Sequence, residues 1–292
     1  MTKIVIFELN FIIFIQLSYF KKMSSAKKSI HKILLVIFLF FALSTSTFSQ
    51  VHPLANAHSH NDYKQKHPLT DALNNGFLSI EADVFLIKGQ LIVSHVHPFF
   101  KKGTLEELYL KPLSDTIKRN GSIYKGDSRS LILLVELKSA SSPAYKVLDD
   151  LLFKYRNIVT RYENGKLSQR PITVIITGNK PYADLQKQST RYAFIDQNFL
   201  MMNDSISKSV CPLASTKYSN VLRWKGKGKI PKDEEQKLKD LVTLAHAQGK
   251  KVRLWASPEN KNVWQALLDN GVDLINTNEL EDLKKFLTES GK

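Results

Sequence analysis

From residue 53 onward, short and almost continuously apolar runs alternate with longer stretches whose apolar residues recur every three or four positions. The apolar runs read as strands buried on both faces, the habit of parallel sheets. They fall at 54–58, 77–87, 130–138, 172–178, 192–196, 219–224, 251–257 and 272–277. The other stretches read as amphipathic helices. "TLEELYLKPLSDTIKRNG" and "PAYKVLDDLLFKYRNIV" are two, and "KDEEQKLKDLVTLAHAQGK" and "NVWQALLDNG" are two more that close near a glycine. "VFLIKGQLIVSH" reads as a hairpin turning at Lys88-Gly89. Eight β-then-α units in a chain of this length predict an α/β fold, a closed (β/α)8 TIM barrel. No repeat or low-complexity tract interrupts them.

The first fifty residues follow another pattern. An apolar stretch interrupted by Glu8 is followed by Lys21, Lys22, Met23, Lys27, Lys28 and Lys32, then "ILLVIFLFFAL" and the small polar run "STSTFSQ". Basic, apolar and small-residue segments in that order are the plan of a secretory signal peptide. The expectation is a functional start at Met23, cleavage near Ser49 or Gln50, export to a periplasmic or secreted location, and one barrel domain over 51–292. An uncleaved leader would make the protein membrane-anchored instead, although the apolar stretch is short for a span of about 20 residues.

Composition refines this picture. At 43% hydrophobic and 24% charged the chain is globular. Cys211 is the only cysteine, so no internal disulfide can form. There are 42 Lys and Arg against 27 Asp and Glu; six Lys and one Glu lie in the first fifty residues, leaving 36 against 26 beyond them. That excess favours an anionic partner, a phosphate ester or an acidic lipid surface. The basic run "RWKGKGKIPK" at 223–232 would serve such a partner, or is a solvated loop. Contact with a membrane surface is consistent with this balance. No nucleic-acid partner is expected, and the chain is expected to act as a monomer.

Barrel sites gather at the C-terminal strand ends, so the polar residues there carry the chemistry. "NAHSHNDY" (56–63) closes the first strand with His58, His60 and Asn61, and reads equally as a zinc site, an acid/base site or a polar turn. Glu81 and Asp83, two apart on a strand, point the same way. Two carboxylates on one inward face need a cation or a proton between them. Glu136 on the following strand can complete an oxygen cage, and three hard carboxylates suit one divalent cation, Mg²⁺ or Ca²⁺. The competing reading pairs these acids with Lys138 or Arg253. His58 and His95 flank the same mouth and suit general base and general acid, because imidazole titrates near neutral pH.

The array "AHSH" (57–60), "EADV" (81–84), "VSH" (93–95) and "VELK" (135–138) resembles the glycerophosphodiester phosphodiesterase and phosphatidylinositol-phospholipase-C-like barrel superfamily. "VRLWASPEN" and "NGVDLINTNEL" are similar to its last two strands, and "HSHNDY" with "PLTDALNNGFLSIEADVFL" looks most like its branch named for altered inheritance of mitochondria protein 6. The resemblance covers about residues 54–285. It implies a phospholipase-C-like TIM barrel and a metal-dependent phosphoric diester hydrolase acting on an anionic glycerophosphodiester- or phospholipid-like substrate. It further implies that His58 and His95 are the catalytic pair and that Glu81, Asp83 and Glu136 hold the metal. The family's Arg-Gly after its first histidine is replaced here by Ser59-His60, so the grip on phosphate falls to Lys138, His60 and Asn61. Two other readings compete. A metal-dependent amidohydrolase or histidinol-phosphatase-like barrel would use His58-x-His60 but needs histidines on later strands, where only His246 follows His97. A non-catalytic secreted barrel would bind lipid or glycan through Trp224 and Trp255.

Overall fold

The computed structural model describes residues 51–99, 103–202 and 206–289. The leader, with its Met23 start and its cleavage point, lies outside the described residues. Eight parallel strands close on themselves: β1 (Leu54–Ser59), β2 (Phe77–Ile87), β4 (Leu131–Leu137), β7 (Ile172–Gly178), β9 (Ala193–Asn198), β10 (Leu213–Lys217), β11 (Lys251–Trp255) and β12 (Leu274–Thr277). β1 pairs with both β12 and β2, which completes the predicted barrel.

Between the strands run α1 (Thr70–Asn74), α2 (Lys111–Asn120, entered through a π turn at Glu106–Leu110), α3 (Ser141–Lys154), α4 (Tyr182–Lys187), α5 (Lys232–Ala247), α6 (Lys261–Asp269) and α7 (Leu280–Glu289). β3 (Gln90–Val93) returns antiparallel along β2 through Lys88-Gly89, the expected hairpin. β5 (Arg161–Glu163), β6 (Lys166–Ser168) and β8 (Thr190–Arg191) form a small separate sheet. Its turn is Asn164-Gly165, both with positive φ. Asn-Gly is a strong two-residue hairpin signal, but its flanks are half-buried in β5 and mostly exposed in β6 and carry no apolar run.

One predicted strand is displaced. The sixth barrel strand is Leu213–Lys217, not 219–224; that apolar run opens as a 3-10 turn at Tyr218–Asn220. β10 carries Ala214, Ser215 and Thr216, small residues that fit a crowded wall and leave little hydrophobic signal. Val221 and Leu222 are buried beneath the loop that follows.

Apolar burial divides into two layers. The larger lies between strands and helices and includes Ile80, Ala82, Val84, Val135 and Leu137. The smaller is formed by Leu134, Ile175, Phe194, Leu213 and Leu274, with Ile132 and Tyr162 against it. These five residues plug the inside of the barrel. Glu81 is in register with Leu134, and Leu134 with Ile175, so the first acid stands at the level of this plug. Asp83, Glu136 and Thr177 form the next inward rung towards the C-terminal ends. On β2 and β4 the outer face is thus apolar, and the inner face carries the acids towards its C-terminal end.

Candidate active site at the barrel mouth

His58 is fully buried at the end of β1, level with Ser79 and Asn276 on the neighbouring strands. Its Nδ1 shares a hydrogen bond with Ser79 Oγ at 2.7 Å, and its Nε2 lies 3.3 Å from Glu81 Oε2. Burial, reinforced by the positive charge of Arg253, lowers its pKa to about 4 against the pull of Glu81. The imidazole is therefore neutral at physiological pH. Glu81 is also buried, yet its pKa is lowered: desolvation opposes its charge, and the Arg253 guanidinium and His58 outweigh it. Arg253, 3% exposed on β11, donates from its guanidinium to Glu81 Oε2 at 2.9 Å and from Nε to Asn276 Oδ1 at 3.0 Å.

The second half of the mouth centres on Asp83. Its Oδ2 accepts from Tyr63 Oη at 2.8 Å, meets His95 Nδ1 at 2.9 Å and lies 3.1 Å from Lys138 Nζ. Its Oδ1 is buried with no hydrogen-bond partner among the described residues. Lys138 also reaches Glu136 Oε1 at 2.8 Å. The Glu136 carboxyl is pushed up, first by burial and then by the charge of Asp83, against the pull of Lys138. Glu136 needs Gly178 beside it. A Cβ there would come within 2.7 Å of Glu136 Cγ, and Gly178 has φ +70, a conformation costly for other residues.

One ligand oxygen from each of Glu81, Asp83 and Glu136 lies within 4.8 Å of the others. Both sequence readings of these acids are therefore present: they converge, and they pair with Arg253 and Lys138. Three carboxylates face two fixed cations, which leaves an excess negative charge and an unsatisfied Asp83 oxygen. Hard oxygen donors in that arrangement fit Mg²⁺ or Ca²⁺.

His60 is partly exposed, with Nδ1 3.1 Å from Asn278 Oδ1 and Nε2 4.0 Å from Glu81 Oε2. Asn61 is buried in the left-handed region (φ 49), where asparagine is tolerated, and its side chain spans His60 and Tyr63 Oη. Asp62 anchors the loop, accepting from Ser59 Oγ, the Leu69 N–H and Tyr109 Oη. "NAHSHNDY" is thus a site segment and a tied turn at once.

Three contributors escaped the sequence reading. Tyr63 links Asn61, Asp83 and His95, the last at 3.2 Å. Lys180 and Ser215 both donate to Asp196 on the far wall, the former at 2.9 Å. No local pattern marks them, because the carboxylates they serve, Asp83 and Asp196, stand on other strands. His246 sits at the opposite end of the barrel against Asp273 (2.8 Å), in α5 as expected. It offers nothing to a zinc-type site at the mouth.

Fold and mouth together define a (β/α)8 barrel with an acidic centre between two imidazoles. A profile of the AIM6-like phosphodiesterase domain matches residues 45–196, and one of the glycerophosphoryl diester phosphodiesterase family matches residues 251–281. "Altered inheritance of mitochondria protein 6" of Eremothecium gossypii is 29% identical over 271 residues, covering 80% of this chain and 69% of the relative. The protein of the same name from Saccharomyces cerevisiae is 30% identical over 278 residues, covering 79% and 70%. The chain belongs to the AIM6-like phosphodiesterase family. A glycerophosphodiester phosphodiesterase from Parabacteroides distasonis superposes with a TM-score of 0.49 at 16% identity, over 82% of this chain and 100% of that one.

These relatives correct the expectation of export. They are yeast proteins named for the inheritance of mitochondria, organelles within the cell, and not for any envelope or secreted role. No described helix is long and apolar enough to cross a membrane.

Because the folded pKa of His58 lies near 4 and an unfolded histidine titrates near 6.5, only the unfolded chain takes up this proton between those values. Stability from keeping His58 neutral is complete above pH 6.5 and falls by about 3 kcal/mol on acidification to pH 4. Urea titrations in EDTA should show His58→Asn losing about that much less over the same range; parallel acid limbs would contradict the assignment. Arg253→Met leaves Glu81 buried without its cation and should cost about 3–5 kcal/mol. A cost below about 1 kcal/mol in the same titrations would mean the pair is not what holds the mouth.

Proposed function

We propose that the chain is a phosphoric diester hydrolase that uses one divalent cation, Mg²⁺ or Ca²⁺, and a two-histidine acid/base pair on a glycerophosphodiester- or phospholipid-like substrate. The observation that carries this reading is the pair of unlike imidazoles beside a three-carboxylate cluster whose Asp83 Oδ1 has no partner among the described residues. Membership of a phosphodiesterase family supports the reaction class.

Glu81, Asp83 and Glu136 would hold the ion. Bound there, it would withdraw charge from a phosphodiester's non-bridging oxygens and help orient the attacking oxygen. Neutral, buried His58 suits the base: held by Ser79, it is free of a proton on one ring nitrogen at physiological pH. His95 suits the acid. Its Nδ1 is fixed by Asp83 and Tyr63, and half of its side chain is open to solvent, where a leaving alkoxide would depart. Lys138 and His60, both partly exposed, would face the phosphate, with Asn61 orienting His60 and Tyr63. Water and a neighbouring substrate hydroxyl are both chemically competent nucleophiles at such a site.

His58→Ala and His95→Ala should each lower turnover on bis(p-nitrophenyl) phosphate by about 10²–10⁴-fold, the usual worth of general acid–base catalysis. The wild-type rate should be bell-shaped in pH, since one imidazole must be neutral while the other is protonated. Calorimetric titration should find one divalent site that Glu81→Gln abolishes and His95→Ala leaves nearly unchanged. If His58→Ala and His60→Ala both strip the metal instead, the histidines are ligands and a zinc-type barrel becomes the better account.

A further inference from the structure

The rim of the mouth carries a feature that the hydrolytic reading does not use. Single exposed apolar side chains are ordinary on a protein surface. Here Val96 and Phe99, at 65% and 90% exposure, stand on the loop after β3, and Trp255, at 38%, closes β11 at the C-terminal side of the barrel. Phe99 packs edge-on to His97 and His97 to Phe85, so the loop after β3 forms an aromatic ridge next to His95. Across the mouth, Lys217 Nζ lies 5.9 Å from the ring centroid of Trp255.

Beside Trp255 the loop between β10 and α5 carries Lys225, Lys227 and Lys229, all exposed. The loop is held in place. Asn260 donates to the Lys225 carbonyl at 3.3 Å, Asn262 to that of Gly226 at 2.8 Å, and Trp224 Nε1 to that of Lys227 at 2.8 Å. Among the described residues none of these lysines, nor Lys217, pairs with a carboxylate. The acids of the mouth lie below the rim and are held by Arg253 and Lys138. The face therefore offers four lysines without a carboxylate partner among the described residues, three of them on a tethered loop, beside tryptophan and phenylalanine, and they outnumber its exposed acids Glu259 and Glu279. Aromatic side chains favour the water–lipid boundary, and each lysine near an anionic leaflet adds about 1 kcal/mol.

We propose that the C-terminal face of the barrel docks on an anionic lipid bilayer, with Trp255 and Phe99 entering the interface and Lys217, Lys225, Lys227 and Lys229 against the head groups. Docked in this way the mouth faces the leaflet, and a lipid-borne phosphodiester reaches the site without leaving the surface. Only this last step rests on the hydrolytic reading above.

Tryptophan fluorescence of the full chain tests the docking. The three tryptophans, Trp224, Trp255 and Trp264, all lie beyond residue 50, so quenching by dibrominated phosphatidylcholine reports the barrel and not the leader. Vesicles of brominated phosphatidylcholine with 30 mol% phosphatidylserine, a composition of about one anionic lipid in three, should quench the emission, and added salt should reverse it. Vesicles without phosphatidylserine should quench far less. The triple variant Lys225→Glu, Lys227→Glu, Lys229→Glu should bind at least about 10²-fold more weakly, from about 1 kcal/mol per lysine. Its hydrolysis of soluble bis(p-nitrophenyl) phosphate should be unchanged. Trp255→Phe should remove most of the quenching. Equal quenching with and without phosphatidylserine, or full quenching in either variant, overturns the proposal. So does salt-sensitive binding to heparin with no quenching by the vesicles, which would make the partner a soluble polyanion. If quenching follows lipid charge while no phosphodiester is hydrolysed, the docking face stands and the catalytic reading fails.

Discussion

The buried ion pair between Glu81 and Arg253 is the interaction on which the mouth depends. Closing eight strands around an apolar plug leaves Glu81 and Arg253, in register with plug residues Leu134 and Leu274, in a dry space, where charge is expensive unless it is paired. One guanidinium answers this for two residues. It keeps Glu81 ionised despite burial, and it adds to the desolvation that keeps His58 neutral. Asn276 fixes the guanidinium from the neighbouring strand, so the protonation states of strands one and two are set from strands seven and eight of the barrel. The barrel gives His58 and His95 unlike surroundings: the first is sealed between Ser79 and Glu81, and the second is half open to solvent.

Lys138 does the corresponding work for Asp83 and Glu136, and the Asp196 cluster on the far wall repeats the pattern with Lys180, Thr177 and Ser215. The compensation is complete at Asp196 and incomplete at the centre, where three acids meet two cations. A fully paired network stabilises a fold; a partly paired one is tolerated where a ligand completes it. The unsatisfied Asp83 oxygen thus lies where an added cation would complete the arrangement. Tyr63 is raised further from ionisation, by burial first and then by the Asp83 charge, so it stays a donor and fixes the His95–Asp83 contact without competing for the proton.

The fold was legible because parallel strands buried on both faces read as apolar runs, and seven of the eight stand within two residues of where those runs begin. β10 was hidden because its Ala214, Ser215 and Thr216 are chosen for space and for bonding to Asp196, not for hydrophobicity. The Asn164-Gly165 hairpin carries a turn signal but no apolar run on either side of it. Among the site residues, Glu81 and Asp83 were legible from their spacing alone, since alternation on a strand is local. Glu136 required only the register of the next barrel strand. Arg253 stood in the sequence only as one possible partner for the acids. Its choice of Glu81 depends on barrel closure, which brings together residues 172 positions apart. Tyr63 and Gly178 were illegible for the same reason: each serves a side chain on another strand.

The central claim is that this mouth needs a cation to complete it and performs phosphodiester hydrolysis once completed. Hydrolysis of bis(p-nitrophenyl) phosphate by the full chain, followed before and after EDTA and again after Mg²⁺ or Ca²⁺ is restored, tests it most directly. The account predicts turnover that EDTA abolishes and one of the two ions recovers. Hydrolysis indifferent to EDTA, or recovered only by zinc, would contradict it.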